Sequence, residues 1–244
     1  MLYGINPVVE ALKVRPRAFQ EILMVEGRES KGIKQITALA RPSRISITFT
    51  KKEEITSIAR SMDHQGVVAI TSPYPYASLE DILKRWKSSG ERLFVLALDS
   101  VQDPHNLGAI IRSAHLFGVH GMILPKDRSA SVTPVVAKAS AGAVEHTPIA
   151  RITNLVSTLK ELKKEGAWIV GASAEAGQTI YSFQFDLDLV LVIGGEEEGI
   201  RPLVRKECDH LLSIPLSGKI SSLNTSVACA VILSEVIRQR RFAK

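Results

Sequence analysis

Hydrophobic positions along this chain fall into two rhythms. Short apolar runs at Leu93–Leu98, Met122–Leu124, Trp168–Gly171, Leu189–Ile193 and Leu211–Ile214 are rich in leucine or β-branched residues. Such runs, bounded by turn residues, predict strands buried on both faces. Between them lie stretches of helical spacing, from Ser78 to Trp86, Asn106 to about Phe117, Thr133 to about Ala141, Asn154 to Lys164 and Asn224 to Gln239. Each opens on Ser, Thr or Asn, whose side-chain oxygen accepts from the first free N–H groups of a helix. In the second of them Leu107, Ile110, Ile111 and Ala114 share one face, and Gly118 ends it. Strands alternating with helices of this length predict a mostly parallel sheet covered on both sides.

The first 72 residues repeat the alternation on a smaller scale. Asn6-Pro7 predicts the start of a short helix carrying Val8, Val9, Ala11 and Leu12, and Ile22–Val25 a strand. Lys31–Ala40 has helical spacing, Ile45–Phe49 alternates like a strand, and Thr50 with Glu53 forms a capping-box pattern for a helix to Ser61. Val67–Ile70 is the last strand. The expected order α-β-α-β-α-β is a small α/β domain. Thr71–Ser78, with two prolines and neither period, is the expected boundary. The predicted organisation is therefore a domain over 1–72, a linker and first helix over 73–90, and a larger domain over 91–244.

The 244 residues are 45% apolar and 23% charged, ordinary globular material. No apolar run is long enough to span a membrane, and Met1-Leu2-Tyr3 leads into Gly4-Ile5-Asn6-Pro7 without a secretory pattern, so a cytoplasmic protein is expected. Two cysteines, Cys208 and Cys229, fit a reducing compartment better than a disulfide scaffold. The formal charge of +6 favours an anionic partner, and it is uneven: residues 1–72 hold 11 Lys and Arg against 7 Asp and Glu.

The chemistry-bearing residues gather where apolar runs end. None of the six histidines sits in a metal-binding pattern, so no metal is expected. There is no GxxxxGK[ST], and no GxGxxG follows an early strand. What remains is LDSVQDPHNLG with Arg112 in an otherwise apolar helix, Gly194-Gly195 leading into Glu196-Glu-Glu198, and SSLNTS ahead of the last helix. Arg112 needs either a partner anion or solvent. The glycines permit positive φ and close approach of a ligand to the backbone. The glutamates fit a solvated loop equally well, and the serines and Asn224 fit simple helix capping.

Taken together, LDSVQDPHNLGAIIRSAHLFGVHGMIL, LVIGGEEEGI and SIPLSGKISSLNTSVACAVIL resemble the three ordered motifs of the SpoU/TrmH ribose 2′-O-methyltransferases, in the SPOUT class. The likeness covers the chain from about Leu93, and Tyr3–Pro7 resembles the start of that family's ribosomal-protein-like RNA-binding domain. It implies a parallel-sheet α/β domain whose C-terminal part threads a loop as a deep trefoil knot, behind a small α/β RNA-binding domain. It implies S-adenosylmethionine as cofactor, gripped at Gly194, Ile214 and Leu223, and a homodimer with the site near the subunit interface. It implies methylation of an RNA ribose 2′-OH, with Asn106, Arg112, Glu196 and Asn224 as the catalytic set. The nearest pattern is that of enzymes acting on guanosine in large-subunit ribosomal RNA. A transfer RNA enzyme and a catalytically silent RNA-binding relative are the alternatives. Because guanidinium stays protonated, Arg112 is expected to bind phosphate or stabilise alkoxide charge rather than act as a base. The basic residues Lys13, Arg15, Arg17, Arg28, Lys31, Lys34, Arg41 and Arg44 would hold RNA phosphates, so removal of residues 1–72 should spare cofactor binding and abolish RNA methylation. Glu197 and Thr225 depart from the usual pattern, where Gly and Val are common.

Overall fold

The computed structural model describes residues 1–220 and 222–242, so Ser221 of the expected serine pair lies outside the described residues. In chain order the first elements are β1 (Leu2–Tyr3), α1 (Ile5–Val14), β2 (Phe19–Val25), α2 (Lys31–Ala40), β3 (Ser46–Thr50), α3 (Lys52–Ala59) and β4 (Val67–Thr71). There follow α4 (Leu79–Ser89), β5 (Phe94–Asp99), α5 (Pro104–Leu116), β6 (Gly121–Pro125), α6 (Pro134–Ala139), β7 (Ile149–Ile152) and α7 (Leu155–Lys164). The last are β8 (Trp168–Ala172), β9 (Gln178–Thr179), β10 (Leu189–Gly194), α8 (Pro202–Arg205), β11 (His210–Ser213) and α9 (Thr225–Phe242). No helix among the described residues is long and apolar enough to cross a membrane.

The chain divides into two compact units, the first made of Met1–Pro75 and Ser131–His146. Its sheet runs β1-β4-β2-β3, with β2 and β3 parallel and the other neighbours antiparallel. Alternation along the strands sends Leu23 and Val68 to the face covered by Ile55 and Ala59 of α3. Ile22 and Met24, also buried, take the opposite face. Three local expectations shift. β1 is two residues long, too short for any pattern to reveal. α1 begins at Ile5 behind Gly4 at φ 91°, ahead of the expected cap at Asn6. The cap of α3 is Lys51, with no side-chain bond, while the Thr50 hydroxyl bonds Glu54 instead.

Segment 131–146, expected within the larger domain, groups with the N-terminal residues instead. Thr133 caps α6 by accepting from Val136 N, and a 3₁₀ turn follows at Ala143–Glu145. Val136, Ala137, Ala143 and Val144 are buried, with α6 packed on β1 and the turn on α1. Arg15 grips Glu145 with both prongs, Nε–Oε2 at 2.6 Å and Nη2–Oε1 at 2.8 Å. The insertion occupies the crossover between β6 and β7, a place where added chain leaves the parallel sheet intact.

The second unit, Tyr76–Ala130 and Thr147–Lys244, carries seven strands in the order β7-β6-β5-β10-β8-β11-β9, every neighbouring pair parallel. β5 and β10 are buried along their whole length, as the apolar runs Phe94–Leu98 and Leu189–Ile193 require. Ser78 and Asp81 complete a reciprocal capping box at α4, and Asn154 caps α7 through Ser157 N. β10 inserts between β5 and β8, and α9 returns across to pack on α5. The threading implied by the family resemblance concerns these crossings.

Candidate active site

Parallel strands bring their C-terminal ends to one edge of the sheet, where α/β folds place ligands. Here the loops after β8, β10 and β11, with the start of α9, line one cavity of about 600 Å³. That volume suits a ligand of cofactor size. Gly194, Ile214 and Leu223 all line it, together with Glu196 and Asn224. Its walls combine apolar side chains such as Ile214, Leu216 and Leu223 with the carboxylates of Glu175, Glu196, Glu197 and Glu198.

The double glycine serves packing within the chain, not the positive φ expected for it. Only Gly199 in this loop has positive φ, at 63°. A Cβ on Gly194 would collide with the backbone of Gly199 and Ile200, and one on Gly195 with the Ser100 carbonyl. The loop therefore folds onto its own strand end, with Gly199 N donating to Gly195 O at 3.2 Å. Asp99, fully buried at the end of β5, fastens the far side. Its Oδ2 accepts from Arg201 N at 2.8 Å, and its Oδ1 meets Arg201 Nε at 2.7 Å and Nη2 at 2.6 Å. Sequence reading passed over Asp99, Ser100 and Arg201. An Asp ending the unbroken run Leu93–Leu98 was the available signal, since a buried carboxylate needs a partner.

Asn106 is not a cap. Asp103 takes that role, accepting from His105 N at 3.0 Å with Pro104 at the first helical position, so α5 starts earlier than expected. The amide of Asn106, 9% exposed, is thereby free to bond across the sheet edge. Its orientation follows from a chain of donors. Asn224 Oδ1 accepts from Ser226 N at 2.9 Å and Ser226 Oγ at 2.6 Å, capping α9. Asn224 Nδ2 must then point outward, and it donates to Asn106 Oδ1 at 3.0 Å. Asn106 Nδ2 in turn donates to Glu196 Oε1 at 2.6 Å. Three of the four expected catalytic residues, from three separate motifs, thus form one directed network, with the Oε2 atom of Glu196 left without a hydrogen bond among the described residues.

Arg112 does not join this network. Six residues beyond Asn106 a helix has turned through about 600°, so Arg112 leaves α5 on another side. It is exposed, lies outside the cavity lining, and has no ion-pair or hydrogen-bond partner among the described residues. Both thiols are poor nucleophiles, since burial pushes Cys208 up to about 11 and Cys229 higher still. Among the described residues, no three His, Cys, Asp or Glu side chains group to hold a metal ion.

Comparison with known proteins gives this geometry a family. Residues 93–234 match the SpoU rRNA Methylase family, and residues 1–77 match the RNA 2′-O ribose methyltransferase substrate binding model. The chain is 40% identical over 243 residues to the Escherichia coli 23S rRNA (guanosine-2′-O-)-methyltransferase RlmB, covering 98% of both chains. Among solved structures it is similar to the SpoU methyltransferase AviRb from Streptomyces viridochromogenes in complex with AdoMet, at TM-score 0.82 and 27% identity over 98% of this chain and 89% of that one. An AdoMet-bound rRNA methyltransferase from Sinorhizobium meliloti superposes with TM-score 0.80 and 26% identity over 98% and 87% of the two chains. The cavity at the strand ends, the network that joins the three motifs beside it, and matches that run nearly the length of the sequence lead to one conclusion: the chain belongs to the SpoU rRNA methylase family.

Proposed function

We propose that this protein transfers a methyl group from S-adenosylmethionine to a ribose 2′-OH of large-subunit ribosomal RNA, on a guanosine, in the cytoplasm. The observation that carries the reading is the Asn224–Asn106–Glu196 network at the rim of the cavity. The RlmB relative's named activity supplies the substrate class, and the AdoMet held by AviRb supports the cofactor. The residues present fit that cofactor. Apolar Ile214 and Leu223 suit a flat adenine, strand-end backbone at Gly194 suits its polar edge, and the four carboxylates suit a ligand with sulfonium and ammonium charges.

When bound, S-adenosylmethionine supplies a methyl group on a sulfonium, already a good leaving group. The chain's own task is to position and activate the hydroxyl. Glu196 Oε2 is the free acceptor for the hydroxyl hydrogen, while Asn106 fixes Oε1 and so the plane of the carboxylate. Arg112, exposed and without a partner among the described residues, is available to the RNA phosphate beside the reacting sugar and to developing negative charge.

The homodimer belongs to the same proposal. Along α5 and α9 runs a shallow groove lined by small residues such as Ala109, Ser113 and Ala230, with Val227 48% and Tyr181 61% exposed beside it. Arg112 leaves α5 next to Ala109 and Ser113, so a second copy seated there would bring Arg112 close to the subunit interface. Incubation with methyl-labelled S-adenosylmethionine and separate ribosomal and transfer RNA pools tests the function, with label expected in the ribosomal pool alone. Label in neither pool refutes the reading, and sedimentation velocity tests the dimer.

A further inference from the structure

We infer that the cleft between the turns at Pro16–Arg17 and Pro42–Arg44 is a seat for an RNA phosphodiester, the contact by which the N-terminal unit holds its substrate. This rests on the proposed RNA methylation and goes beyond it by choosing among the unit's cations.

The structure divides those cations into paired ones, the exposed Lys31 and Arg41 outside the cleft, and two that share a concavity. Lys13 is paired with Glu10 at 2.8 Å, Arg15 with Glu145 and Lys34 with Glu29 at 3.3 Å. Arg28 lies against Gly66, where it would meet any Cβ. Arg17 and Arg44 are exposed, have no partner among the described residues, and line one cleft of about 500 Å³. No acidic residue lines that cleft. Two guanidiniums on one concavity without a carboxylate give it a positive potential that favours an anion.

Both arginines are held by stiff backbone. Pro16 opens the 3₁₀ turn that carries Arg17, and Pro42 fixes φ in the turn before Arg44. Arg44 itself sits at φ 54°, a conformation that a bulky residue adopts at a cost of about 1 kcal/mol. That conformation closes the turn after α2, with Arg44 N donating to Arg41 O at 3.1 Å and Ile45 N to Ala40 O at 3.2 Å, and the Arg44 so placed lines the cleft. Gln20 and Ser43 line the cleft beside the two arginines and add neutral hydrogen-bonding groups to it. Preorganised forks of this kind bind phosphate bidentately.

The test compares the full-length double variant R17A/R44G with a charge-matched control, K51A/K52A, whose lysines are exposed in the same unit and outside the cleft. Glycine at position 44 accepts the positive φ, so loss of fold is not expected. Binding of a ribosomal RNA fragment is measured as a function of salt, with S-adenosylmethionine binding measured in parallel. The cleft variant should lose about tenfold or more in RNA affinity, and its log–log salt slope should fall by about 0.7 for one lost single-strand phosphate contact. The control should change less than about twofold, and cofactor binding should be unchanged in both. Equal losses in the two variants would mean undirected charge and would overturn the cleft while leaving the methyltransferase reading in place. Wild-type protein that binds no RNA would overturn both. Competition by inorganic phosphate at low concentration, with RNA affinity unaffected by R17A/R44G, would identify a free-phosphate site and also overturn it.

Discussion

Single residues divide here into those that react, those that aim and those that hold. Arg112 is exposed and has no ion-pair or hydrogen-bond partner among the described residues, so Arg112→Ala should abolish methyl transfer while leaving S-adenosylmethionine binding and the melting temperature nearly unchanged. Turnover near the wild-type rate would remove it from the mechanism. His120 holds. It is buried, its Nδ1 accepts from Phe94 N at 3.1 Å and its Nε2 lies 3.1 Å from Ser89 Oγ. Burial lowers its pKa below the ordinary 6.5, against the pull of Glu91 and with help from Arg85 and Arg240. The unfolded chain therefore takes up the proton first as pH falls. The stabilisation is complete above about pH 6.5 and is lost as pH drops through the lower folded value. Urea midpoints at about pH 7.5 and about pH 5.5 should differ more in the wild type than in His120→Asn, which keeps an acceptor and loses the titration. His64 in the N-terminal unit, also lowered by burial, leaves a residual slope.

At the scale of elements, the decisive object is the 195–201 loop. It is closed on itself at Gly195 and Gly199, seated on Ser100 and fastened by Asp99 to Arg201. Asp99 is fully buried, while the Arg201 side chain is 29% exposed. Breaking a wholly buried pair costs about 3–5 kcal/mol, so the partly solvated arginine argues for about 1–3 kcal/mol here. Asp99→Ala should lower the melting temperature by that equivalent and reduce turnover further than stability alone explains, because Glu196 loses its platform. Full turnover in the folded variant would show that the loop keeps its shape without Asp99. The elements themselves were largely legible beforehand. Every run expected to be a strand became one, with ends within three residues, since period and β-branching are local properties. The starts of α1, α3 and α5 were less legible. Several polar residues competed for each cap, and the choice at Asn106 was decided by Glu196, 90 residues away.

For the molecule as a whole, the two units are not two consecutive lengths of chain. Segment 131–146 leaves the parallel sheet between β6 and β7 to complete the N-terminal unit. Removing the N-terminal residues would strip Val136, Ala137, Ala143 and Val144 of their cover, and would leave Glu145, with its side chain 2% exposed, without Arg15. An unpaired buried carboxylate costs several kcal/mol. A chain beginning at Tyr76 is therefore expected to bind a hydrophobic dye and to aggregate, which corrects the simpler expectation that it would bind cofactor undisturbed. A soluble, dye-silent truncation would show that the segment refolds onto the remaining unit.

By itself the sequence determined the alternation of strands and helices, the parallel character of the large sheet, the basic N-terminal unit and the residues worth watching. Those features rest on period, capping and charge, which act over a few neighbouring residues. Only the tertiary structure decided that Asn106, Glu196 and Asn224 share one hydrogen-bond chain while Arg112 stands apart from it. It also decided that the double glycine serves loop closure and that residues 131–146 complete the first unit. Each of these depends on which strand lies beside which, and strand neighbours are fixed by burial summed over the whole chain rather than by any local stretch of it.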